Sequence, residues 1–377
     1  MTFTTTSKEL SEVLVNMNRV INSKNVLPIL ADIVFTVEGD TLSLKASDSE
    51  VMLMADVPLT EASGEGSFAV NAKNIMEAVK NLPENPLTFS INKEDTAVKV
   101  DYFSGEFTLP IDNPTEFPVM PTMNAEEVVS FNIYEGVLQE NIARTVFATA
   151  DDELRPVMNG IFFDLTTEHL AIVASDGHQL VRNKVLDVKA MEDTKTGSFI
   201  LPKKAANILK NILHKGAEET AVTFDSRQLT IVAPTFAMQA RLIEGRYPNY
   251  NSVIPQNNPN IVMVDRTTLI AALRRVAPFA NDSSQLVRVH VENSTLQLDT
   301  EDYDFSKTAT ERMTCEYNST PMSIGFKGTK TMEILSNMNS TEIEIQLADP
   351  NRAALIIPAE QPEGQDILML QMPMLIN

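Results

Sequence analysis

The sequence predicts an α+β fold made of three tandem copies of one module, each with two helices on antiparallel sheets. Three observations predict it. A strand–turn–strand segment occurs three times, a strand–helix–strand segment follows each copy, and a capped helix opens each unit.

The strand pair runs Asp40–Thr60, then Glu168–Val188, then Ser294–Thr314. Each copy alternates apolar and polar residues, passes an acidic turn and continues extended, the period-two signature of half-buried strands. The turn reads Ala-Ser-Asp in the first two copies and Thr300-Glu301-Asp302 in the third. The next segment spans Ser67–Asn92, Ser198–Asp225 and Met322–Ala348. Helical spacing of apolar residues predicts helices at roughly 72–82, 203–213 and 327–338 within these segments. The opening helices begin near Thr6, Asn132 and Asp265. Thr6 with Glu9 and Asn132 with Glu135 fit a capping box, and Asp265 fits an N-cap.

Two stretches rich in Pro and Asn, Pro110–Asn124 and Gly245–Asn260, read as linkers. Each holds an aromatic-Pro pair, Phe117-Pro118 and Tyr247-Pro248. The expected domains are therefore 1–121, 126–250 and 256–377.

Composition excludes several classes. No apolar run approaches the roughly 18–20 residues of a membrane span. The start of the chain lacks a signal-peptide pattern. The single Cys315 excludes an internal disulfide and a Cys-rich metal site, and the four histidines (His169, His178, His214, His290) are scattered. A cytoplasmic protein without membrane contact is expected, with no cofactor. No phosphate-binding Gly loop is present, since Gly64-Glu65-Gly66 lacks a third glycine and a following helix. The acidic groups Asp151-Asp152 and Glu301-Asp302 with Asp304 read as solvated turns before they read as a metal site. Asp176-Gly177-His178 sits in a tight turn, not in a recognisable catalytic order.

The net charge is −21, which taken whole argues against nucleic acid. Its distribution argues the other way. The predicted helical windows carry 15 of the 30 basic residues and only 7 of the 51 acidic ones. If the helices share one face, that face attracts phosphate while the remainder repels it. Nothing resembles base reading, so any such contact would be sequence-independent. Three similar modules joined head to tail could enclose a duplex and hold it by topology. A non-DNA-binding scaffold would need no basic helical face.

Local motifs extend this reading. Val26–Leu30, Met158–Gly160, Ala174–Leu180, Gly245–Tyr250 and Met372–Met374 resemble, in order and spacing, the sliding-clamp family of bacterial DNA polymerase III beta subunits. The resemblance covers essentially the whole chain. It implies three DNA-clamp domains per subunit and a head-to-tail dimeric ring. It implies a non-catalytic processivity factor that encircles duplex DNA and tethers partners. Those partners are the polymerase III alpha subunit, the clamp loader, other polymerases and repair proteins.

The resemblance also implies roles for particular residues. Lys24, Lys73, Lys80, Arg155, Lys203 and Lys204 would face DNA. Met158, Ser175, Gly177, His178, Leu180, Pro248, Val253, Leu370, Met372, Pro373 and Met374 would form a partner-peptide pocket between domains 2 and 3. Phe107 and Phe279 would lie at the dimer joint, although either reads equally as core. Three departures stand out. Leu375 follows Met-Pro-Met where many relatives carry Arg. Ser252 occupies a rim position that is often Arg. Asp152, Pro156 and Val157 replace the Gln and Tyr that some relatives hold near DNA.

Overall fold

The computed structural model describes residues 1–22, 27–92, 96–186, 188–192 and 195–376. Module 1 contains β1 (Thr2–Thr6), α1 (Ser7–Asn18), β2 (Asp32–Glu38), β3 (Thr41–Ser47), β4 (Val51–Pro58), β5 (Glu61–Ser63), β6 (Gly66–Asn71), α2 (Ala72–Val79), β7 (Pro86–Ser90), β8 (Ala97–Tyr102) and β9 (Gly105–Pro110). Module 2 contains β10 (Val129–Tyr134), α3 (Glu135–Thr145), β11 (Gly160–Leu165), β12 (Leu170–Ser175), β13 (Gln179–Val185), β14 (Gly197–Pro202), α4 (Lys203–Ile212), β15 (Glu219–Phe224), β16 (Gln228–Ala233) and β17 (Phe236–Arg241). Module 3 contains β18 (Asn260–Asp265), α5 (Arg266–Val276), β19 (Leu286–Glu292), β20 (Thr295–Asp302), β21 (Lys307–Thr314), β22 (Met322–Lys327), α6 (Gly328–Ser336), β23 (Glu342–Leu347), β24 (Ala354–Pro358) and β25 (Gln365–Gln371). No helix of the described residues is long and apolar enough to cross a membrane.

The chain divides into two compact units that do not coincide with the modules. The first holds Met1–Gly136 and Asn211–Leu242, the second Val137–Lys210 and Ile243–Asn377. In the first unit, β5-β1-β7-β8-β9 form one sheet and β10-β15-β16-β17-β4-β3-β2-β6 form another. The second unit repeats the plan with β14-β11-β12-β13-β25-β24-β23-β18 and β21-β20-β19-β22. Each eight-stranded sheet is a splice of two modules through one antiparallel ladder. Leu53 of β4 pairs with Met238 of β17, and Val181 of β13 pairs with Met369 of β25. All four side chains are buried, so alternation and ladder agree on the register.

Aromatic pairs fill the cores. Phe3 stacks on Phe89 at 4.7 Å in the first unit, and Phe163 on Phe199 at 4.7 Å in the second. The helices bury one stripe each: Leu10, Leu14 and Met17 on α1, Leu269, Leu273 and Val276 on α5.

Two of the three expected caps form. Thr6 accepts from Glu9 N at 3.2 Å and donates to its carboxylate at 2.8 Å, and Asp265 accepts from Thr268 N at 2.6 Å. The Asn132 cap does not. Phe131 and Ile133 are buried, alternation continues, and β10 runs to Tyr134 against β15. Glu135 instead lies buried and accepts the backbone N–H of His214 at 2.8 Å, just past the end of α4.

Candidate partner-peptide pocket and cationic helix ends

The pocket residues all lie in the second unit. The turn between β12 and β13 is built by its own side chains. The Asp176 carboxylate accepts from His178 N at 2.8 Å and Gln179 N at 2.9 Å, as an Asx turn does. Ser175 Oγ donates to Gln179 O at 2.8 Å and accepts from Gly177 N at 3.1 Å. Gly177 takes φ +91°, a region that favours glycine. Lys330 on α6 forms an ion pair with Asp176. Burial alone would raise this carboxyl, but the Lys330 ammonium and the two backbone donors hold it below the usual carboxylate range.

The β13–β25 ladder then sets Leu180 opposite Leu370. Both are buried, in a cluster with Tyr247, Tyr250, Ile254 and Leu355. The ladder runs one step further, because Met372 N donates to His178 O at 2.8 Å. Beyond Pro373, Met374 N donates to Gly325 O at 2.8 Å, which ties the tail to β22. A Cβ on Gly325 would lie 2.8 Å from Met374 O, so glycine is what lets the tail pass.

Around this buried floor lies an open rim. Val253 is 56% exposed and Met372 42%, while Gly177, His178 and Pro248 are also exposed. Met158 is buried beneath, its carbonyl accepting from Ala150 N at 2.8 Å. Apolar atoms facing solvent around a firm floor form a surface suited to apolar peptide side chains, and methionines let it adapt.

Several contributors are not evident from the sequence. Tyr247 sits in a segment that reads as a linker, yet it is buried and stacks on Phe162 at 4.7 Å. Burial pushes its phenol up. The aromatic-Pro pair in each linker is the signal: Phe117 is buried likewise against Leu30, Val34 and Met52. Lys330 and Gly325 come from segments with no pocket-like motif.

The cationic candidates separate into two groups. Lys73 and Lys204 are exposed in the first turns of α2 and α4, and Lys80 is exposed at the end of α2. Lys203 begins α4, with Nζ 2.7 Å from Asp151. Arg155 pairs with Asp152 at 2.8 Å and lies against Gly177, beside the pocket. Lys24 lies outside the described residues. A cation in a first helical turn opposes the helix dipole, so folding does not select it there.

The helical charge excess is smaller in space than in sequence. Arg144 is buried with Gln365 and Asn141, Arg266 donates to Ser340 and Leu335 carbonyls, Arg275 pairs with Glu311, and Lys330 serves Asp176. With Lys203 on Asp151, at least five of these helical cations, counted among the described residues, therefore hold the protein to itself. Among the described residues no group of three His, Cys, Asp or Glu could hold a metal ion.

Phe107 lies on β9 and is partly exposed, 6.1 Å from the Tyr102 ring. Phe279, in a 3-10 turn after α5, is 40% exposed. Both are more open than core phenylalanines such as Phe3 at 1%.

Comparison with known proteins matches the whole length. Models of the DNA polymerase III beta subunit cover residues 1–121 (N-terminal domain), 132–249 (central domain) and 251–374 (C-terminal domain). The beta sliding clamp of Pseudomonas aeruginosa is 27% identical over 350 residues, covering 93% of this chain and 94% of that protein. The beta sliding clamp of Salmonella typhimurium is 26% identical over 374 residues, covering 99% and 100%. A crystal structure of the sliding clamp (DNA polymerase III subunit beta) from Pseudomonas aeruginosa bound to griselimycin is similar with a TM-score of 0.93 at 26% identity. The DNA polymerase III beta subunit of Thermotoga maritima gives 0.88 at 26%. Both alignments cover all of each chain.

Proposed function

The chain belongs to the DNA polymerase III beta-subunit family, the beta sliding clamps, and on that premise we propose where it meets DNA, partner peptides and a second copy of itself. The family function is that of a non-catalytic processivity factor in DNA replication. Two copies join head to tail as a ring that encloses duplex DNA in the bacterial cytoplasm. Lys24, Lys73, Lys80, Arg155, Lys203 and Lys204 make loose, sequence-independent phosphate contacts. The Ser175–Leu180 turn, Met158, Pro248, Val253 and Leu370–Met374 receive short apolar segments of polymerase subunits, the clamp loader and repair proteins.

One observation supports the assembly. Repeat position by repeat position, β21 corresponds to β4 and β13, and β9 corresponds to β17 and β25. The first two such pairs are ladders within the chain. The third strand of each kind is left on the open edge of a terminal half-sheet. The register transfers too: Leu53 with Met238 and Val181 with Met369 correspond to Ala309 with Phe107. Phe107 of one copy would thus face Ala309 of the next, with Phe279 nearby.

Cysteines at Thr108 and Thr308 should therefore cross-link between copies, and cysteines at Thr108 and Thr310, two residues out of register, should not. A chain of 41.7 kDa should sediment at twice that mass. Loaded by a cognate loader on nicked circular DNA, the protein should stay bound until the circle is cut. Reversing Lys203 and Lys204 to Glu should lower loading roughly ten-fold at moderate salt. Equal retention on linear and circular DNA would count against enclosure.

A further inference from the structure

The first unit contains a groove of about 690 Å³ that none of the roles above uses. It lies between α1, the end of α4 and the β4–β17 ladder, and it falls in the size range of small-ligand sites. Glu9 and Glu12 of α1 and Asp56 of β4 bring negative charge; no Lys or Arg lines it. Val13, Asn16, Ala55 and Pro234 also line it.

The chain holds a second version of this place, and that version is filled. The buried pairs Leu10, Leu14 of α1 and Leu138, Ile142 of α3 align the two helices. They set Glu12 against Glu140, Val13 against Asn141 and Asn16 against Arg144. Counting from the two ladder pairs sets Ala55 against Asn183 and Pro234 against Gln365. In the second unit the Arg144 side chain, 4% exposed, occupies the space. Its Nη1 donates to Gln365 Oε1 at 3.2 Å and Asn141 Oδ1 at 3.4 Å, and Nη2 lies 3.9 Å from Glu140. Asn183 completes the packing by donating to Thr145 Oγ1 at 2.8 Å. In the first unit every one of these positions except the glutamate has become smaller or lost its polar head. The carboxylate stays, joined by Glu9, and the arginine is gone. Among the described residues Glu12 has no ion-pair partner.

We propose that this groove receives an arginine side chain from a partner polypeptide, with Glu12 and Glu9 facing the guanidinium and Val13, Ala55 and Phe236 packing its aliphatic stem. The occupant is inferred from the filled copy, where the same frame closes on a guanidinium. Arginine suits it because a planar, weakly hydrated cation sits well between a carboxylate and an apolar wall.

Saturation-transfer difference NMR on the full-length protein tests this with four probes. They are acetyl-Ala-Arg-Ala-amide, its citrulline and lysine counterparts, and agmatine. The arginine peptide should give a saturable signal, at least ten-fold tighter than citrulline and tighter than lysine. Glu12→Gln should weaken it several-fold. Asn16→Arg, which supplies the groove with its own guanidinium, should abolish it while the melting temperature holds or rises. No saturable signal, equal binding of citrulline, or undiminished binding to Asn16→Arg would overturn the site. Agmatine binding as tightly as the peptide would overturn the polypeptide as its source. If Asn16→Arg does not fold, the Glu12→Gln and citrulline results decide.

Discussion

The β4–β17 and β13–β25 splices share one backbone plan and differ in what fills the helix side. At β13–β25 the buried Arg144, Asn141 and Asn183 form a polar plug with the half-buried Gln365. At β4–β17 the corresponding Asn16, Val13, Ala55 and Pro234 leave a groove. On the opposite side both linker aromatics are buried, Phe117 in the cluster of Met52 and Tyr247 in that of Leu180, but the second adds the solvent-facing rim of Val253 and Met372. Ladder register is set by main-chain pairing and buried alternation, which both splices keep. Side chains facing the helices or the linker are free of that constraint, so one frame carries two different surfaces.

Three comparisons test this contrast. Arg144→Met should have the largest effect, because it leaves Gln365, Asn141 and Glu140 around an apolar chain. Taking the donor from two amide acceptors around a buried cation costs about 3 kcal/mol, while Asn16→Met should stay within roughly 0.5 kcal/mol. Urea unfolding followed by probes in each unit measures both. Equal losses would mean that the two splices are not different in kind.

The next concerns a buried carboxyl of the first unit that its repeat counterpart in the second lacks. Asp32 is 4% exposed, and its repeat counterpart is Gly160. Burial, then the charge of Asp112, pushes Asp32 up from 3.8 to about 6. Its folded pKa lies above its unfolded one. Between about pH 4 and 6 the folded chain keeps a proton that the unfolded chain releases, so stability falls as pH rises through that window and stays low above it. Asp32→Asn should therefore stabilise the first unit by on the order of 2 kcal/mol at pH 8 and by almost nothing at pH 4. Thermal melts at the two pH values check the sign.

The smallest effect compares the two turns. Ser49 has φ +76° where the second unit has Gly177 at +91°. Ser49→Gly should raise stability, and Gly177→Ser should lower it, each by about 1 kcal/mol. Only the second should also weaken capture of a short apolar partner peptide, read by fluorescence anisotropy.

Much of the fold is legible in the sequence because the repeat is local. Alternation around Leu42 and Leu44 and the capped stripe Leu10, Leu14, Met17 need only neighbouring residues. The failures are those that distant partners decide. Asn132 looks like a cap until β15 extends β10 past it. Arg144 and Lys330 look like free surface charge until Gln365 and Asp176 meet them across 221 and 154 residues. Tyr247 looks like linker until Phe162 stacks on it. The partition into units is hidden for the same reason, since the splices join strands far apart in the chain.

The splices also separate mechanical continuity from chain continuity. At each one, main-chain hydrogen bonds pull in shear across the module boundary. The covalent linkers run in parallel with them. A protease that nicks the exposed residues 121–122 or 256–257 should yield two fragments on a denaturing gel and one undivided particle in native buffer, because the tether it severs carries little of the load.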